Sequence, residues 1–133
     1  MTFLAEVRHL VESCAYWQER DHGTDVCALD GLERRKWLAT QFAGLYCEIA
    51  EMQQCTAWKP WIPDGIVQHE ERETDLAQEA ADALIFIGNI LAACGITSAQ
   101  LSEAIDTKSE RNRERAYIHN RWPGMGPDRA GSL

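Results

Sequence analysis

Two pairs of acids stand three residues apart, Glu48 with Glu51 and Glu79 with Asp82. On helices, residues at this spacing project to the same side, with Cβ atoms roughly 5 to 6 Å apart. Their settings are unusual: Glu48 lies in FAGLYCEIAEM and Asp82 in LAQEAADALIFI, among small and apolar residues. A carboxylate is costly in such surroundings unless a cation or metal ion offsets it. If the two helices pack antiparallel, all four acids converge on a site of oxygen ligands, which suits magnesium or manganese and not zinc. Either pair alone reads more readily as a solvated helix face; the joint occurrence in apolar settings favours a metal site. Glu70, Glu71, Glu73 and Asp75 form a polar run and read as solvated. The rival is a di-iron carboxylate bundle, which also buries acids in helices but pairs them with Glu-x-x-His motifs; it ranks below the magnesium reading.

The elements that must carry these acids follow from periodicity. Apolar Phe3, Leu4, Val7, Leu10, Val11, Cys14 and Trp17 recur at three- and four-residue steps and predict a first helix from Thr2 to about Arg20. Asp30, with Glu33 three places later, has the form of a capping box and predicts a second helix running to about Cys55. TAWKPWIPDG interrupts it, because Pro60 and Pro63 lack amide donors. A third helix begins between Val67 and Asp75, carries Leu76, Ala80, Ala83, Leu84, Ile87 and Leu91 on one face and stops at Gly95. Thr97 and Gln100 predict the start of a fourth, which becomes highly charged and gives way to a flexible tail over about 117–133. The expectation is one all-α domain, 1–133, in the form of a four-helix bundle that assembles as a homodimer or homotetramer.

Further side chains fit a ligand. Lys108, Arg111, Asn112 and Arg115 share one face of the fourth helix, where cationic groups can clamp phosphate oxygens. A charge run on a last helix is also what a solvated face looks like. Trp17, Trp58 and Trp61 can wall a base pocket by stacking, with Lys59 between the last two, although tryptophans in a small bundle also serve as core anchors. Asn89 lies seven residues after Asp82, two turns on and nearly on the same side, which makes it a candidate for a sugar or base contact.

The order LYCEIAEMQQCTAWKPW, DLAQEAADALIFIGNIL, KSERNRERAYIHNRWPG resembles the all-α NTP pyrophosphatases, the superfamily of MazG-like proteins, dimeric dUTPases and phage dCTPase-like proteins, over roughly residues 38 to 124. The resemblance implies hydrolysis of a nucleoside triphosphate to the monophosphate and pyrophosphate, with magnesium held by Glu48, Glu51, Glu79 and Asp82 and with manganese able to substitute. It implies that Glu48 or Glu51 takes a proton from the attacking water, that Lys108 and Arg115 touch the phosphates, and that Trp58, Lys59 and Trp61 belong to the connector of the dUTPase-like and dCTPase-like members. The match departs at the first helix: where dimeric dUTPases carry Gln and Asn seven and four residues before a Trp, this chain has Leu10 and Ser13 before Trp17. Uracil specificity is therefore not implied, and dGTP, dCTP and dUTP stay open. The alternative is a non-catalytic helical adaptor that keeps the fold and not the chemistry.

Composition limits the partners. The 133 residues carry a formal net charge of −8 and a pI near 4.9, which disfavours broad contact with nucleic acid or an anionic membrane. No continuous apolar run approaches the roughly 18 residues of a membrane span, and acidic residues interrupt the apolar stretch of MTFLAEVRHLVES, so the expectation is an unprocessed cytoplasmic protein acting on a small-molecule nucleotide. Five cysteines without a CxxC argue for reduced thiols, most of them in the core.

Overall fold

The structure, a computed structural model, describes residues 8–68 and 73–119. They are all-helical: four α-helices, one short 3-10 turn over Val26–Ala28, and no strand among the described residues. The helices are α1 (Leu10–His22), α2 (Gly31–Gln54), α3 (Glu73–Ala93) and α4 (Ser98–His119). The chain divides between Thr97 and Ser98 into two compact units, with α1 to α3 in the first and α4 in the second.

The helix ends have local causes. Gly23, at φ 68°, closes α1 in the left-handed conformation glycine adopts without strain, and its N–H returns to the Glu19 carbonyl at 3.0 Å. Gly95, at φ 72°, does the same after α3, where the Ile96 N–H reaches back to the Leu91 carbonyl at 2.9 Å. Asp30 does stand at the start of α2, but the expected capping box is absent. Asp30 makes no side-chain cap bond, and Glu33 instead approaches Lys36 at 3.6 Å, one turn on. With extended backbone at φ −141° and ψ 171°, Asp30 contributes its carbonyl to the first helical bond, from the Arg34 N–H at 3.0 Å.

Within the first unit α3 is the shared element, packed by α1, by α2 and by the 3-10 turn. Both helix contacts are close because glycine stands at each. A Cβ on Gly88 would come within 2.6 Å of Cys14 Sγ, and one on Gly44 would strike the Phe86 ring. The Cys14 thiol donates to the Ile85 carbonyl at 3.6 Å, and Asn89 Nδ2 donates to Gln41 Oε1 at 3.0 Å. Arg34 Nε donates to the Ala93 carbonyl at 3.0 Å. These pairs fix α2 and α3 antiparallel: residue 41 faces 89 and residue 44 faces 86. The core is small, with Val11, Val26, Ala92 and Ala93 packed by Ala15, Trp37, Leu38 and Leu91.

Several expectations are corrected here. Leu84, assigned to the buried face of the third helix, is 47% exposed, because the sides of α3 that meet α1 and α2 are marked by Ala83, Phe86, Gly88 and Asn89. None of the five cysteines forms a disulfide, yet only Cys14 and Cys55 are buried; Cys27, Cys47 and Cys94 are exposed. The fourth helix runs through His119, while 120–133 and the N-terminal Phe3, Leu4 and Val7 lie outside the described residues. By length and composition alone Thr74–Ala93 would pass for a membrane span, although no continuous apolar run exists there; Asp75, Glu79 and Asp82 interrupt it.

Candidate metal centre

The antiparallel register carries the acids toward one another. From residue 41 to 51 α2 climbs ten positions while α3 descends ten, from 89 to 79, so the Gln41–Asn89 bond at one end is matched by the acids at the other. Glu48, Glu51 and Glu79 each place a carboxylate oxygen within 4.8 Å of the other two. Glu48 and Glu79 are half-buried and Glu51 is exposed, so the group opens to solvent on the Glu51 side. Asp82, the fourth expected ligand, is exposed and stands outside this set of three, although its charge still acts on Glu48.

The electrostatics are those of crowded like charges. Glu48 and then Glu51, through short contacts, followed by burial and by their charge, push the Glu79 carboxyl up from 4.5 to about 7. For Glu48 the contact with Glu79 acts downward, but burial and the neighbouring Glu51 and Asp82 prevail and raise it. Three carboxylates at this range do not all ionise without a counter-charge, so the centre holds a proton near neutrality. One oxygen of Glu48 and one of Glu79, Oε2 in each, is buried without a hydrogen-bond partner. Two buried acceptors with no donor beyond that shared proton, in an all-oxygen set open on one side, fit a hard divalent cation. Glu19 and His22 have the Glu-x-x-His spacing of a di-iron site, but both are exposed on α1 and neither joins the carboxylates. A second such pair, Glu6 and His9, depends on Glu6, which lies outside the described residues.

The remaining expected residues fall in three places. Trp17 and Asn89 line one cavity of about 220 Å³ between α1 and α3, shared with Cys14, Gln18 and Ile85. Trp58 and Trp61 meet edge to face, with ring centroids 5.4 Å apart, in the connector after α2. Lys59 belongs to the same connector, where its N–H donates to Gln68 Oε1 at 2.9 Å and its carbonyl accepts from Gln68 Nε2 at 3.1 Å. This clamp holds the loop between residues 59 and 68 closed, and both tryptophans stay largely exposed instead of anchoring a core. Lys108, Arg111, Asn112 and Arg115 are exposed on α4, in the second unit.

Gln41 was not singled out from the sequence. It is buried, and its bond to Asn89 ties α2 to α3. The available signal was its position, seven residues before Glu48 and therefore two turns away on nearly the same side, as Asn89 is from Asp82. Comparison with protein families, with curated proteins and with solved structures found no match.

Proposed function

We propose that the chain is a magnesium-dependent nucleoside triphosphate pyrophosphohydrolase, producing a nucleoside monophosphate and pyrophosphate. The observation that carries the reading is the convergence of Glu48, Glu51 and Glu79 within 4.8 Å, with a buried, unpartnered oxygen on each of Glu48 and Glu79. In this reading these three hold the cation, and Asp82 adds negative charge beside them. Magnesium, or manganese in its place, supplies charge neutralisation at the phosphate under attack and lowers the pKa of water. Glu51, on the solvent side, accepts the proton of the attacking water, a role that suits an exposed carboxylate with neighbours able to orient it. Lys108, Arg111, Asn112 and Arg115 are the phosphate-binding residues of this reading, chosen for their donors and common helix face.

The finer fold reading is a four-helix bundle of the all-α NTP pyrophosphatase type, assembled as a homodimer or homotetramer in the cytoplasm. The apolar side chains left on the surface of α2, Phe42, Tyr46 and Ile49, support assembly. The decisive assay offers all common dNTPs and NTPs with magnesium and separates the products. Pyrophosphate from at least one of them is expected; a panel left intact, or release of orthophosphate alone, removes the proposal.

A further inference from the structure

We propose that Asn89, oriented by Gln41, reads the base of the nucleotide and selects bases that present an exocyclic amino group; this rests on the nucleotide reading of the acidic centre. Asn89 is 3% exposed and lines the cavity between α1 and α3, and its Oδ1 is buried with no hydrogen-bond partner. Its Nδ2 is already engaged by Gln41 Oε1 at 3.0 Å. With the Gln41 carbonyl turned to Asn89, rotating the Asn89 amide alone would set two carbonyl oxygens against each other, so in this arrangement Oδ1 is the half left over. What remains is a buried acceptor without a donor, on a side chain that lines a space of about 220 Å³.

The rest of the lining suits a flat, partly apolar ring. Trp17 offers an aromatic wall, and Cys14 and Ile85 are apolar. The charged groups at the rim cancel each other: Arg20 Nε donates to Asp21 Oδ1 at 2.7 Å and Arg20 Nη2 to Oδ2 at 3.1 Å. Gln18 and His22 complete the lining, and Asn89 Oδ1 is a lining group left buried and unpartnered. Asn89 lies ten residues beyond Glu79 of the acidic centre, about 15 Å along α3, a separation that an extended nucleoside triphosphate spans from its phosphates to its base edge. An amino group on cytosine or adenine donates to Oδ1. The carbonyl that uracil or hypoxanthine carries at the same place sets lone pair against lone pair.

The test uses the full chain with magnesium and matched substrates that differ at this one group, dCTP against dUTP and dATP against dITP. In each pair that is cleaved, kcat/KM is expected to favour the amino-bearing member by roughly tenfold or more, the scale of one unpaired buried polar group. Asn89→Leu and the volume-conserving Gln41→Met are expected to bring that ratio toward one, chiefly by lowering kcat/KM for the amino-bearing member. Equal handling of both members by the wild type, or an unchanged ratio in both variants, overturns the assignment and leaves the hydrolase reading standing. If no triphosphate is cleaved, the hydrolase reading fails separately, and quenching of tryptophan fluorescence by dCMP against dUMP decides the pocket. Tighter binding of dCMP, lost in Gln41→Met, upholds it, and indifference to the base overturns it.

Discussion

Glu48 on α2 and Glu79 on α3 each turn one carboxylate oxygen, Oε2, away from solvent with no donor to meet it. The two side chains come from antiparallel helices locked at the other end by the Gln41–Asn89 bond, so the separation of the acids is set by packing and not by their own attraction. A site built in this way crowds like charges, and its consequences can be measured.

Neutral replacements at the centre separate function from folding. Glu51→Gln and Glu79→Gln are expected to lower pyrophosphate release by about a hundredfold or more, since a cation clamp contributes several kcal/mol to the transition state. Helical circular dichroism should be unchanged. Wild-type rates in both variants would exclude these residues from the chemistry.

Stability in chelator should fall with rising pH. An ordinary glutamate in the unfolded chain ionises near 4.5, whereas folded Glu79 holds its proton to about 7. Below 4.5 both states are protonated and the group makes no difference. Between 4.5 and 7 the unfolded chain releases a proton that the folded chain keeps, which favours unfolding; above 7 the loss stays constant. Thermal midpoints measured across this range should decline and then level off, and Glu79→Gln should flatten the curve and raise the midpoint at pH 8. Saturating magnesium should also raise it there, with proton release when the ion is added near pH 6.5. A flat profile for the metal-free wild type would contradict the crowded-carboxylate account.

Cysteine chemistry reports the packing of α1 on α3. Burial pushes the Cys14 thiol from 9.0 to about 11, so little thiolate is present at pH 8. Mass spectrometry after brief alkylation should show Cys27, Cys47 and Cys94 modified and Cys14 and Cys55 protected. Rapid labelling of Cys14 in the folded protein would mean that the helices do not meet as described.

Gly88 tests the same contact by volume. Its Cβ would lie 2.6 Å from Cys14 Sγ and 3.2 Å from Leu10 Cγ, so Gly88→Ala should destabilise by about 1 to 3 kcal/mol despite the better helix propensity of alanine. Gly88→Ala combined with Cys14→Ala should recover part of the loss in denaturant titration. A stabilised single variant would refute the close approach.

Assembly can be read from α2. Phe42, Tyr46 and Ile49 are 42%, 67% and 46% exposed at four- and three-residue spacing, an apolar stripe that a second copy would cover. Sedimentation should give a dimer or larger for the wild type and a shift toward monomer for Tyr46→Glu. A monomeric wild type at high concentration would end this part of the proposal.

The sequence by itself determined the helices and the pairing of acids within each. Three- and four-residue periodicity, Gly95 as a stop and the proline-rich connector are local properties, so the extent of α2 and a third helix beginning between Val67 and Asp75 were legible from them. The spacing of Glu48 with Glu51 likewise follows from helix geometry alone. Tertiary structure decided what those helices meet. The face of α3 turned to its neighbours depends on where Gly44 and Gly88 let α2 and α1 approach, and it leaves Leu84 outside though its hydrophobicity pointed inward. The same register selects three of the four acids for one cluster, keeps Asp82 at the surface and buries Gln41 against Asn89, because side chains on different helices are brought together by interhelical packing, which periodicity within one helix does not encode.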